Sequence, residues 1–231
     1  MPDATPPAKR KALPSLRRQP TQARAQATVQ TLFKAAAQIL DGEGEAALST
    51  NKVAAAAGFS IGTLYQYFPS KEALVQAMAQ HGRSLVLAEL ERRLSAVEQD
   101  PQTPHTDPCV FIDQVLAVLV QGFAGGRGWT RSLVRLAWSL EEPQETASVV
   151  RGVAERLALF FERIAHPQLQ RPSAALMFVL TRSVIGTLRS ASLENSPLLQ
   201  SPALQQALLE MVLALLQIKP QPHAAATPAR R

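Results

Sequence analysis

Cysteine is almost missing from this sequence: Cys109 stands alone in 231 residues, so no disulfide can close within the chain. The four histidines, His81, His105, His166 and His223, lie far apart, and none has a Cys, Asp or Glu at metal-ligand spacing on a helix. A disulfide scaffold and a structural zinc site are thereby excluded, no metal is expected, and a reducing, cytoplasmic setting is the natural one. Long hydrophobic runs are missing too. Residues 1–20 are polar and proline-rich with no apolar signal core, and the greasiest stretch, Leu204 to Ile218, is interrupted by Gln and by Glu210. It falls short of the roughly 20 residues a membrane span needs, so a soluble protein with no membrane partner is expected. Catalytic signatures are equally scarce. No Ser/His/Asp set or paired-carboxylate motif stands out, and Gly125-Gly126-Arg127-Gly128 follows no strand and lacks the Lys-Ser/Thr of a phosphate loop. Those glycines read as a helix break. No enzyme, no catalytic residue and no cofactor is expected.

Acidic charge is nearly absent from one place only. Residues 1–24 hold Lys9, Arg10, Lys11, Arg17, Arg18 and Arg24 against Asp3 alone, whereas residues 25–229 carry 16 basic and 17 acidic side chains. A basic arm on a near-neutral body points to a polyanion partner or to a solvated tail. The chain as a whole is 46% hydrophobic and 18% charged, enough apolar surface for a sizeable core. Proline breaks helices by removing a hydrogen bond and clashing with the preceding turn, so its positions partition the chain. Five of the 17 prolines lie in residues 1–20. The others bound long intervals in which apolar residues recur at helical spacing: Phe111, Val115, Val118, Leu119; Trp129, Leu133, Leu136, Leu140; Val153, Leu157, Phe160, Phe161, Ile164. Period-two alternation is absent over any strand's length, so the fold class is all-α. A basic arm (1–20), a small helical domain (21–81), a larger helical body (82–218) and an unpatterned tail (219–231) are expected, the two ends disordered.

Within the small domain Thr21 is a candidate N-cap for a helix to about Leu40, burying Val29, Leu32, Phe33, Ala36 and Leu40, and Asp41-Gly42-Glu43-Gly44 ends it. Ser49 or Thr50 then caps a short helix ending near Ala57. Gly58 supplies a left-handed turn, and Ser60 caps a second short helix ending near Phe68. Two short helices joined by a glycine turn have the layout of a helix-turn-helix at about 49–68. Its second helix would turn Ile61, Leu64 and Phe68 inward and leave Gly62, Thr63 and Gln66 outward, flanked by Tyr65 and Tyr67. A hydroxyl, an amide, aromatic rings and a glycine suit a DNA major groove. On spacing alone a helical hairpin inside a larger bundle fits as well. After Pro69-Ser70 an uninterrupted helical pattern runs from Lys71 to about Val97, roughly 40 Å at 1.5 Å per residue, long enough to join two domains.

The run Leu48-Ser49-Thr50-Asn51-Lys52-Val53-Ala54, followed by Ala57-Gly58-Phe59-Ser60-Ile61-Gly62-Thr63-Leu64-Tyr65-Gln66-Tyr67-Phe68-Pro69-Ser70-Lys71-Glu72-Ala73-Leu74, resembles the amino-terminal DNA-binding domain of the tetracycline-repressor (TetR) family. The resemblance covers about residues 24–81. Beyond them the likeness is one of helix number and length. It implies a three-helix DNA-binding domain, a long connecting helix and a helical ligand-binding and dimerisation domain, in a homodimer that binds double-stranded operator DNA and answers to a small-molecule effector. Carried over residue by residue, it implies that Thr50, Asn51, Thr63, Tyr65, Gln66, Tyr67 and Lys71 touch DNA, with Ser60 and Gly62 beside them. Lys71 and Thr50, at the starts of helices, are placed for phosphates, the free amides and dipole end adding to the lysine charge. Thr63 and Tyr65 are the candidates for base contacts and Tyr67 for the backbone. Gln66 suits either adenine or a phosphate.

The resemblance also implies an effector pocket in the body. Phe123, Arg135, Trp138 and Phe161 are its candidate lining, Arg135 and Trp138 because they share a helix face away from the Leu133-Leu136-Leu140 stripe. An apolar or aromatic effector follows from those side chains. The two closing helices are apolar on more than one face: Leu204, Leu208, Met211 and Leu215 on one side of the last, Leu209, Val212 and Leu216 on another. A helix of that kind needs two partners, and a second subunit can supply one. A repressor released by its effector is the first functional reading; a DNA-organising or protein-docking factor without an effector is the second.

Overall fold

The computed structural model describes residues 19–125, 131–140, 143–164 and 166–218. Among them nine α-helices follow one another and no strand occurs: α1 (Gln19–Glu43), α2 (Thr50–Ala56), α3 (Ile61–Tyr67), α4 (Lys71–Gln99), α5 (Pro108–Phe123), α6 (Arg131–Leu140), α7 (Pro143–Arg163), α8 (Ala174–Leu193) and α9 (Pro202–Leu215). The all-α expectation holds. Most of the basic arm, the tail from residue 219 and Trp129 lie outside the described residues.

Local chemistry sets most of these boundaries. Ser49, Ser60, Ser70, Asp107, Ser173 and Ser201 are N-caps whose side-chain oxygens accept a backbone N–H of the first turn. The first helix departs from expectation at both ends. It starts at Gln19, with Pro20 in its first turn where a missing N–H costs nothing, and it continues to Glu43, one residue before Gly44. Thr21 therefore lies inside the helix and not at its N-cap position. The segment between α4 and α5 is not all irregular, since Thr103–His105 forms a 3-10 turn. His166, buried, fastens it: Nδ1 accepts from the Gln168 amide at 3.1 Å, so Nε2 carries the proton and donates to the Thr106 carbonyl at 2.9 Å.

Two apolar cores result, and α4 belongs to both. Leu32, Leu40, Leu64, Val53, Leu74 and Val75, none more than 2% exposed, fill the first with Phe68 and Met78. Burying each such side chain contributes about 1.5–3 kcal/mol. Leu90 and Leu94, farther along α4, enter the second, with α5 at its centre. Ile112, Leu116, Val120 and Phe123 are as buried as Phe111, Val118 and Leu119, so the buried face of α5 is broader than a single stripe and leaves Val110, Gln114 and Gln121 exposed. Arg156 of α7 ties to Glu91 (2.5 Å) and Glu98 (2.9 Å) of α4. The Glu91 carboxyl is held below its ordinary range by the Arg156 hydrogen bond.

α6 crosses between the cores. Leu133, 2% exposed, packs in the first core, with Leu136 and Leu140 against it, while Val134 packs in the second. The Leu133-Leu136-Leu140 stripe is thus core, but core of the small domain. Among the described residues one helix, α8, is long and apolar enough to cross a membrane by length and composition. It packs on α5, α6, α7 and α9 through one side, while Phe178, Val179 and Leu193 stay exposed on the other.

Candidate nucleic-acid interface

α2 and α3 meet at a tight corner. After Ala57, the Phe59 amide donates to Ala54 O (2.9 Å) and the Gly58 amide to Ala55 O (3.1 Å), a paired closure that requires the residue between to take positive φ. Gly58 does, at φ 73°, with no side chain to strain. Ser60 then caps α3, accepting from the Thr63 amide at 3.1 Å, and its Oγ lies 2.9 Å from Thr63 Oγ1. The corner leaves Leu64 and Phe68 buried against Val53 and Ala54. Ile61, expected inward with them, is 36% exposed. Helical side chains lean toward the N-terminus, and at the first position of α3 there is no preceding turn to cover, so Ile61 overhangs the corner instead.

The opposite face carries the polar set. Asn51, Ser60, Gly62, Tyr65 and Gln66 are exposed, and Thr50, Thr63, Tyr67 and Lys71 half-exposed. Tyr65, half-exposed at 50%, brings its Oη to 3.3 Å from Thr50 Oγ1, joining the start of α2 to the middle of α3. Tyr67 instead leans back, its ring 6.4 Å from that of Phe68. Lys52, which the motif also contains, is ion-paired with Glu43 at the end of α1. At the start of α4 the amides are less free than expected for a phosphate site. Ser70 Oγ takes the Ala73 N–H (3.1 Å), and the Glu72 carboxylate takes its own backbone N–H, which lowers its pKa. Lys71 is therefore left to act mainly through its side-chain charge.

The four side chains expected to line one effector pocket separate. Phe123 and Trp138 stack with centroids 5.3 Å apart and planes 8° from parallel, and they wall a half-open cleft between α4 and α6. Phe161 lines a different cavity between α5, α7 and α8, apolar but for Thr181. Arg135 lines neither. It reaches back across the domain junction to Glu45, Nε at 3.0 Å and Nη2 at 2.5 Å from Oε1. Residue spacing put Arg135 and Trp138 on one face, but a carboxylate 90 positions earlier drew the arginine the other way. Gln76, Gln80, Arg83 and Glu145, which line the cleft beside Trp138, were not foreseen. The i, i+4, i+7 spacing of the first three on α4 was the available signal. Burial pushes the Cys109 thiol up to about 11, away from the thiolate form. Among the described residues no three His, Cys, Asp or Glu side chains gather into a metal-binding group.

Comparison with known proteins agrees with this geometry. Residues 32–78 match the family of bacterial regulatory proteins, tetR family. The whole fold resembles that of a Mesorhizobium loti protein assigned to the TetR-family transcriptional regulators, at 16% identity and a TM-score of 0.62 over 84% of this chain and 98% of that one. It also resembles a TetR-family regulator from Streptomyces coelicolor (21% identity, TM-score 0.52, 82% and 98% of the two chains). A third is the Bacillus subtilis regulator FadR in complex with stearoyl-CoA (16% identity, TM-score 0.52, 83% and 99%). Among curated proteins none matches the sequence. The chain thus carries a helix-turn-helix domain of the tetR family of bacterial regulatory proteins, set on the all-helical fold of solved TetR-family transcriptional regulators.

Proposed function

We propose that this protein is a homodimeric, non-enzymatic transcriptional repressor that binds a two-fold symmetric operator through residues 21–81 and releases it when residues 82–218 take up a small effector. The observation that carries the DNA half is the polar face of α2 and α3, with Tyr65 Oη and Thr50 Oγ1 converging at 3.3 Å. Two hydroxyls that close from adjacent helices suit one phosphate oxygen, while the Tyr65 ring stays free to pack on a thymine methyl. Thr63 and Gln66 supply the remaining base-side groups. Asn51, Tyr67 and Lys71 face the backbone, and Ser60 and Gly62 permit close approach.

Operator duplexes selected from random DNA by the wild-type protein test this. Tyr65→Ala is expected to lower affinity by about 1–3 kcal/mol and to blur preference at one base position. Tyr65→Phe and Thr50→Val should each weaken binding to all sequences, the double variant losing little beyond either single one, because the two groups share a target. Lys71→Ala should likewise act without regard to sequence. Unchanged affinity in Tyr65→Ala overturns the assignment of this face.

The basic arm is assigned to the same DNA, following the minor groove beside each half-site. Deleting residues 1–18 should then flatten the dependence of affinity on salt, each lost phosphate contact taking about 0.9 from the log–log slope. A slope equal to that of the full chain makes the arm a solvated tail.

Dimerisation is assigned to the outer face of α8. Phe178 (59% exposed), Val179 (48%) and Leu193 (39%) lie on it and Leu198 (51%) follows it, a clustered apolar set. A two-fold pairing would hold two recognition helices about 34–36 Å apart, the spacing of successive major grooves. α4 is the mechanical link for release, since one end is built into each core.

A further inference from the structure

The exposed positions of α3 form two rows, each spanning one helical turn: Gly62 with Gln66, and Ile61 with Tyr65. Leu64 and Phe68 lie behind them in the core. The first row is open at its start. A Cβ added at Gly62 would meet Ser60 Oγ at 3.7 Å, an ordinary contact, with nothing closer, and Gly62 is not among the glycines at positive φ. Neither packing nor backbone conformation inside the chain therefore calls for glycine there, although glycine weakens a helix relative to alanine. What the missing side chain does is let another molecule's surface come up to the backbone.

Beside that notch stands the row of Ile61 and Tyr65. Tyr65 brings its Oη to within 3.3 Å of Thr50 Oγ1, so the polar end of that side chain is engaged. The hydroxyls next to Ile61 are engaged as well: Ser60 Oγ accepts the Thr63 amide and lies 2.9 Å from Thr63 Oγ1. Ile61 itself, 36% exposed, has only carbon to offer. A sec-butyl group cannot read a base edge by donors and acceptors. The major-groove edges of the base pairs carry a single kind of apolar group, the 5-methyl of thymine, and covering it with an aliphatic side chain removes apolar surface from water on both sides.

We infer that Ile61 is a specificity-determining residue of the DNA interface, reading one thymine in each half-site by packing its side chain on the 5-methyl group while the Gly62 notch lets the base-pair edge come close. The thymine it reads is not the one met by Tyr65. The inference rests on the operator reading given above, which leaves Ile61 without a role.

The full wild-type chain first selects its preferred duplex from random DNA. Each thymine of that duplex is then exchanged for deoxyuridine, symmetrically in the two half-sites, which removes the methyl and keeps the base pair. Affinities are read by fluorescence anisotropy at low salt, where phosphate contacts keep weakened variants bound. At one symmetric pair of positions the exchange is expected to lower wild-type affinity about fifteenfold, roughly fourfold for each buried methyl. In Ile61→Ala and in Ile61→Gln the same exchange should change affinity less than twofold, while Tyr65→Ala keeps the wild-type ratio. A variant that only loosened the corner would bind the thymine and uracil duplexes more weakly alike, so the ratio separates contact from folding. No thymine pair with an effect above threefold, a ratio unchanged in both Ile61 variants, or a ratio abolished by Tyr65→Ala each overturns the inference and leaves the operator reading standing. A wild-type chain that enriches no duplex overturns that reading, and the inference with it, before any thymine is exchanged.

Discussion

Leu133→Ala is expected to destabilise the small amino-terminal domain by about 2–5 kcal/mol, although residue 133 lies far outside it in sequence, and to lower DNA binding with it. Leu133 is 2% exposed and packs with Leu32, Leu40, Leu74 and Met78, so the residue closes a wall that α1 to α4 leave open. Truncation there removes a buried isobutyl group and leaves a cavity bordered by rigid helices, the case in which relaxation recovers least. Leu136, only half-buried on the same stripe, should cost clearly less. Denaturant unfolding followed by circular dichroism measures both. A loss under about 1 kcal/mol at Leu133 would mean that α6 merely rests on the domain. Next to it Arg135 holds Glu45 from outside, so α6 grips the domain by buried Leu133, with Leu136 and Leu140 against it, and by an ion pair. Glu45 and Arg135 are each about a third exposed, and such a pair contributes little in water, which makes the leucine the stronger hold.

What the sequence revealed and what it hid follow one physical division. Caps, glycine turns and helical periods are local: Ser49, Gly58, Ser60 and Ser70 act on backbone groups within three or four residues, and their places in the structure are those their chemistry dictates. The helix-turn-helix was legible for that reason. Which neighbour an apolar face meets is not local. Leu133 reads the same whether it packs in the near core or the far one, and the spacing of Phe111, Val115, Val118 and Leu119 does not say how wide the buried face of α5 is. Arg135 was placed by face alone, without knowledge of Glu45. Ile61 fits the period of its helix, but a seven-residue helix has ends, and the period says nothing of what lies beyond them.

The closing helices show the same division most sharply, and they set the last expectation. Leu208 and Val212 read as candidates for contact with a second subunit, yet they are 3% and 4% exposed and packed in the chain's own second core. A charge there, as in Leu208→Asp, has no partner and no water, a burial far costlier than the marginal stability of a domain can absorb. That variant is expected to be insoluble or unfolded, whatever the oligomeric state of the native protein. Phe178 is different: 59% exposed on the outer face of α8, with the Arg182 guanidinium 4.0 Å from its ring centroid. Phe178→Asp should keep the helical circular dichroism spectrum and the melting temperature of the isolated subunit while halving the mass in sedimentation at micromolar concentration. Operator affinity should then fall by orders of magnitude, because one half-site loses the contribution of the other. A Phe178→Asp protein that sediments and binds operator like the wild type would move the subunit contact off this face of α8, and a wild-type chain that sediments as a single subunit would remove the homodimer altogether.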